Sequence, residues 1–256
     1  MLQKALQLIF LFFLSSFTIS ANAETETLKV LGMKNYPPFS FEKNGKMVGI
    51  DNEVMYEIGK RIGVEVEIDY LPWKRLLANL KYGSTDAAFA LFFTQERNQF
   101  ALYADKEPIH DGAFYLYVKK GFEFTFEDVT DLYDKRIGLQ LAFSVSEAFD
   151  TAASENKMDI LSAFSNVNNI ELLLADRIDA FIGHELVTGY NLLNMDVLDQ
   201  VSRLPLPISE KKAFLVISRE SKTFSDKQSL INQINQALVD MKADGTHKKI
   251  VDKYLK

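Results

Sequence analysis

Leu28-Lys29-Val30-Leu31-Gly32-Met33 opens a passage in which strand-like and helix-like segments take turns. A turn-rich Asn35-Tyr36-Pro37-Pro38 follows, and then Ile50, Val54, Ile58 and Ile62 repeat at helical spacing behind Asp51, a fitting N-cap. Val64, Val66, Ile68 and Tyr70 alternate with charged residues, as a half-buried strand requires. Leu76, Leu77 and Leu80 predict a short helix entered at Pro72-Trp73, and Asp86-Ala87-Ala88-Phe89-Ala90-Leu91 predicts a buried strand. Such β-α-β-α order predicts an α/β fold with largely parallel strands.

The same order restarts downstream. Arg136-Ile137-Gly138-Leu139-Gln140, a helix from Ser146, Ile160-Leu161-Ser162-Ala163-Phe164, a helix through Ile170, Leu173 and Leu174, and Asp179-Ala180-Phe181-Ile182 make a second α/β unit. Two strongly apolar segments flank it, Ala113-Phe114-Tyr115-Leu116-Tyr117-Val118 and Ala213-Phe214-Leu215-Val216-Ile217, and they read as a pair of crossovers between two lobes. The expected division is a first lobe from 24–116 plus 213–256 and a second from 117–212. A last amphipathic helix through Leu230, Ile231, Ile234, Leu238 and Met241 is expected to stop near Gly245 and to pack on the first lobe.

Upstream, Lys4 precedes an apolar run from Leu6 to Phe17, and the small-residue site Ala21-Asn22-Ala23 follows. That order predicts a secretory signal peptide over 1–23, cleaved after Ala23, and hence a periplasmic protein. The unbroken run from Leu8 to Leu14 is far short of the roughly 18 apolar residues a membrane span needs. No membrane insertion is expected, and with no Cys there is neither a lipid anchor nor a disulfide framework. The net charge of −6, with Lys and Arg scattered among acidic residues, argues against nucleic acid as a partner. His110, His184 and His247 stand apart, so neither a metal nor any other cofactor is expected.

In open α/β sheets ligands gather outside the carboxyl ends of strands, so the loops after each strand carry the candidates. Tyr36-Pro37-Pro38-Phe39 presents two aromatic rings fixed by prolines, either as a ligand face or as a packed turn. Trp73, the one Trp of the chain, stands at a helix start as ligand wall or as core anchor. Phe92, Thr94 and Arg97 follow a buried strand, and the guanidinium suits bidentate capture of a carboxylate unless it is a surface Arg. Ser144 and Ser146 lead into a helix, where hydroxyls and free N–H groups bind an anion or merely cap the helix. His184 and Glu185 close the strand after Ala180 and offer a titratable pair.

Tyr36-Pro37-Pro38-Phe39-Ser40-Phe41, Val48-Gly49-Ile50-Asp51-Asn52-Glu53-Val54, Thr94-Gln95-Glu96-Arg97 and Asp176-Arg177-Ile178-Asp179-Ala180, in that order and spacing, resemble the family 3 extracellular solute-binding proteins, receptors of polar amino acid transporters. The resemblance implies the type II periplasmic-binding-protein fold, two α/β lobes hinged on two crossover strands. It implies a monomeric, non-enzymatic receptor that captures an amino acid or related organic acid and delivers it to an ABC transporter permease. In the same way it assigns Tyr36 and Trp73 to an aromatic sandwich, Arg97 and Thr94 to the ligand carboxylate, and Ser144 with Val145 to a hydroxyl-bearing loop that here carries two extra residues before it. His184 stands where the family usually has an Asp for the ligand's ammonium, and Ala90 and Phe92 replace small or hydroxyl residues. An ordinary α-amino acid is therefore the less expected ligand. The alternatives are a dehydratase-like enzyme, with His184 and Glu185 as its acid and base, and an accessory receptor for a membrane sensor.

Overall fold

The computed structural model describes residues 27–255. Eleven strands lie among them: β1 (Thr27–Met33), β2 (Phe41–Lys43), β3 (Lys46–Val48), β4 (Glu65–Leu71), β5 (Ala87–Phe92), β6 (Ala101–Tyr103), β7 (His110–Lys119), β8 (Arg136–Gln140), β9 (Asp159–Ala163), β10 (Ala180–His184) and β11 (Val201–Ser218). The predicted strands all form, most of them within a few residues of their expected bounds, but the strand expected at 213–217 begins twelve residues earlier, at Val201. The signal peptide falls outside the described residues.

Nine strands share one sheet in the order β4-β1-β5-β11-β7-β10-β8-β9, with β6 added to β11. Pairing is parallel at β4-β1-β5 and at β10-β8-β9, and antiparallel where β5 meets β11, β11 meets β7 and β7 meets β10. Two parallel α/β units are thus joined through two long antiparallel strands. These are the crossovers, and β11 runs through both units because its 18 residues keep pairing past shifts of register at Pro207. β5 is buried along its whole length, as a central strand covered on both faces must be.

Two details depart from the sequence reading. Gly49, not Asp51, is the N-cap of the helix Ile50–Ile62. Its φ of 137 and the Phe39 carbonyl, 2.1 Å from where a Cβ would stand, leave room only for glycine. The first helical N–H groups are satisfied by the Pro38 and Phe39 carbonyls at 3.1 and 3.0 Å, so no side-chain cap is needed there and Asp51 turns into the core. At the other end, the helix Lys227–Ala243 does stop before Gly245, but a further helix, Thr246–Leu255, follows. Its Tyr254 hydroxyl accepts a hydrogen bond from Gly49 N–H at 3.1 Å, which ties the chain's last turn to the first lobe.

Candidate functional site

The carboxyl ends of β1, β5 and β8 converge on a chamber lined by Met33, Tyr36, Trp73, Ala90, Phe92, Arg97, His110, Phe143 and Ser144. Its volume is about 10 Å³, room for about one water. Outside it, and sharing Arg97, Phe143 and Ser144, an open groove of about 680 Å³ runs between the helix Trp73–Lys81 and the helix Glu147–Ser154. The chamber is the closed inner end of the cleft between the lobes.

The first lobe supplies a rigid wall. The Tyr36 N–H donates to Ser40 O at 2.7 Å and Phe39 N–H to Tyr36 O at 2.9 Å, which folds the double-proline turn so that the two rings lie 5.8 Å apart. Phe39 stacks on His110 at 3.9 Å and meets His184 edge-on at 5.1 Å. Burial, and then the nearby Asp51 carboxylate, raise the Tyr36 phenol far above its ordinary value, so it is neutral. Trp73 is the first residue of its helix, buried, with its indole N–H directed at the Ala142 carbonyl, 3.2 Å away.

Arg97 is 5 % exposed, which settles against the surface reading. Its Nη1 donates to Phe92 O at 3.1 Å, its Nη2 to Ala142 O at 3.3 Å, and the guanidinium lies 5.3 Å from the centre of the Trp73 ring. These acceptors are neutral carbonyls. Burial lowers its pKa below the ordinary value, opposed by Tyr103, Glu96 and Asp150, yet a guanidinium stays charged. Thr94 does not reach the chamber; its hydroxyl accepts from Arg97 N–H at 3.1 Å and caps the short helix that carries Arg97.

The second lobe contributes one loop. Ser146 is the N-cap of the helix Glu147–Ser154 and accepts from Phe149 N–H at 3.2 Å, so the capping alternative holds for it. Ser144 faces the chamber, but its hydroxyl donates to Asp150 Oδ2 at 2.7 Å, and Val145 N–H donates to Asp150 Oδ1 at 3.1 Å. The donors expected to meet an external anion are thus held by an internal one. Lys211, from β11, donates to Ser144 O at 2.9 Å and lies 5.6 Å from the Phe92 ring centre. Its partial burial lowers its basicity, Asp150 opposes this, and Arg97 adds to it.

His184 and Glu185 are engaged by different partners. His184 is 3 % exposed and lies behind the chamber wall, edge-on to Tyr36, Phe39 and Phe114. Its Nδ1 accepts from Leu186 N–H at 3.2 Å, capping the helix Glu185–Asn194 and placing the proton on Nε2. Burial, with His110 adding to it and the Asp111 carbonyl opposing, pushes its pKa down to about 3. The ring is therefore neutral. Glu185 points outward into an ion pair with Arg203.

Four participants escaped the sequence reading. His110 lines the chamber, with Nε2 3.4 Å from an Asp51 carboxylate that is itself 1 % exposed. Read along the chain, one is an isolated His and the other a helix cap. Phe143 adjoins Ser144, and nothing in its local spacing marks it as a site residue. Lys211 sits in Glu210-Lys211-Lys212, which looks like an ordinary solvated run.

A family model for bacterial extracellular solute-binding proteins, family 3, matches residues 28–256. The histidine-binding periplasmic protein of Salmonella typhimurium is 27 % identical over 99 % of this chain and 97 % of its own. An ancestral arginine-binding protein bound to arginine superposes with a TM-score of 0.75 at 24 % identity, over 90 % of this chain and 99 % of that one. An ancestral amino acid-binding protein, a precursor of cyclohexadienyl dehydratase, superposes at 0.71 with 25 % identity, over 90 % and 96 %. With two hinged α/β units, a cleft at their strand ends and a match from residue 28 to residue 256, the chain belongs to the bacterial extracellular solute-binding proteins, family 3.

Proposed function

We propose that this protein is exported by cleavage after Ala23, opens and closes its lobes, 24–116 with 213–256 against 117–212, on a small carboxylate-bearing solute, and passes it as a monomer to an ABC transporter. Arg97 carries the reading. A buried cation at the chamber, satisfied only by carbonyls, costs desolvation energy that a ligand carboxylate offsets best, because charge-assisted bidentate pairs are roughly twice as strong as neutral ones. Tyr36, Trp73 and Phe92 supply the apolar walls, and Ser144 the second-lobe edge. The relatives' histidine and arginine support an amino acid or a related acid. Among the described residues at that corner no unengaged carboxylate waits for an ammonium: His184 is neutral and Glu185 faces Arg203. Acids without an α-ammonium are therefore expected to bind at least as well as amino acids.

In the enzymatic alternative the His184–Glu185 pair is already engaged, His184 Nδ1 by Leu186 N–H and Glu185 by Arg203, and His110 stands beside Asp51. A thermal-shift screen of small acids tests the binding role. A ligand at 100 times its Kd stabilises by about 2.7 kcal/mol, about 5–10 °C at this size. Arg97→Ala is expected to abolish that shift while leaving a folded protein. A shift that survives Arg97→Ala, or turnover of the bound acid, overturns the proposal.

A further inference from the structure

The loop that closes the chamber is built like a ligand. Ala142 O receives two hydrogen bonds from the opposite lobe, from Arg97 Nη2 at 3.3 Å and Trp73 Nε1 at 3.2 Å. One residue on, the Phe143 ring stands edge-on to both Trp73, at 5.7 Å and 74°, and Tyr36, at 6.5 Å and 69°. An oxygen acceptor on the guanidinium and an aryl ring between two aromatic walls are the two halves of an aromatic acid. These are the seats that the family resemblance gives to the ligand's carboxylate and side chain.

The loop is also made to leave. Ala142 has φ 65, a left-handed conformation that a non-glycine residue adopts at a cost. Ala142 is exposed and Phe143 only half-buried, whereas the segment behind them is anchored through Ser144 and Val145 to Asp150 and through Ser144 O to Lys211. The anchor and the occupant are separate. Withdrawing the tip breaks two bonds to a neutral carbonyl and two ring contacts and bends the turn that Phe143 N–H closes on Gln140 O at 2.9 Å, while the helix that follows keeps its Ser146 cap. A chamber of about 10 Å³ admits nothing larger than water until that happens, since pockets for small metabolites start near 300 Å³.

We propose that Ala142-Phe143 is a built-in occupant of the ligand seat, and that the solute displacing it is a carboxylate bearing an aromatic ring. The proposal rests on the carboxylate reading of Arg97. The carboxylate displaces the Ala142 carbonyl because it pairs with the guanidinium charge to charge, and the aryl body takes the place of Phe143 between Tyr36 and Trp73. Phe143 is then a specificity-determining residue that lowers affinity for every ligand and rejects those unable to replace its ring contacts.

Isothermal titration of the exported protein and of Phe143→Ala with 3-phenylpropanoate, L-phenylalanine and propanoate tests this. Phe143 is half-buried on a loop, and Phe143→Leu, with circular dichroism of both variants, guards against a folding artefact. The expected result is that 3-phenylpropanoate binds the native protein at least tenfold more tightly than propanoate, and that Phe143→Ala binds it about tenfold more tightly still, a gain of about 1.4 kcal/mol. Equal or weaker binding of 3-phenylpropanoate by folded Phe143→Ala overturns the occupant. If Arg97-dependent binding of these acids persists in that case, the carboxylate reading survives. If neither protein binds any of the three, both proposals fall.

Discussion

Across the chamber the two lobes meet with walls of different kinds. On the first lobe Tyr36, Phe39, Trp73, Phe92 and Arg97 are all at least nine-tenths buried, each fixed by rings or hydrogen bonds on its far side. On the second, Ala142 is exposed and Phe143 and Ser144 are half-buried, held in place through Asp150 and Lys211. A wall that is part of the core is preorganised for its ligand and expensive to change. A wall that is a loop is cheap to move and cheap to mutate. The closing step of this receptor is accordingly expected to reshape the second-lobe edge and leave the first-lobe face as it stands.

The sharpest test of that contrast is a pair of truncations. Phe39→Ala removes a ring that is 2 % exposed and stacked between Tyr36 and His110. A loss of about 3–5 kcal/mol is expected in urea unfolding. Phe143→Ala, at the same chemistry on the other wall, should cost a small fraction of that. Comparable losses would mean that both walls belong to the core and that the second does not move on its own.

How far the sequence foretold this contrast depends on which residues are asked about. Periodicity carried the strands, because alternation in Val64–Tyr70 and the unbroken apolar run of β5 follow directly from one-sided and two-sided burial. Arg97, Tyr36 and Trp73 were legible as chemistry on strand-end loops. What was not legible is which neighbours those loops meet. Arg97 and Ala142 lie 45 residues apart, and Lys211 and Ser144 lie 67 apart. No local pattern encodes contacts made only when two lobes close. Thr94 and Ser146 show the same limit from the other side, since a hydroxyl at a helix start reads alike whether it binds an anion or caps a backbone N–H.

His184 is a second-lobe residue built like the first-lobe wall, and acid exposes the difference. Its folded pKa of about 3 lies below the unfolded value of about 6.5, so the unfolded chain takes up a proton that the folded chain refuses. Its contribution is intact above about pH 6.5 and is lost as pH falls through the window down to about 3, amounting to about 2 kcal/mol at pH 5. In His184→Asn the side-chain oxygen still caps the helix but does not titrate. Its unfolding free energy should fall less between pH 7 and pH 5 than that of the native protein, by about that amount. Parallel pH profiles would show that His184 is solvated in the folded state, and the contrast between buried wall and mobile loop would then stop short of the second lobe's strand end.

The smallest effect is expected where the loop is anchored. Asp150 accepts from Ser144 Oγ and Val145 N–H and is the carboxylate that opposes the lowering of Lys211 basicity. Asp150→Asn keeps an acceptor for Val145 N–H and removes the charge. Because the site is partly open to solvent, the expected loss in stability is about 0.5–1 kcal/mol. Ligand affinity should move the other way. With Asp150 neutral, Arg97 and Lys211 face the cleft with less compensating charge, and a carboxylate such as 3-phenylpropanoate should bind a few-fold more tightly, with a gain that shrinks as salt is raised. Titrations at low and high ionic strength would check this. Weaker binding in Asp150→Asn at both would mean that the loop must stay anchored for the seat to exist, and the second-lobe wall would then be as preorganised as the first.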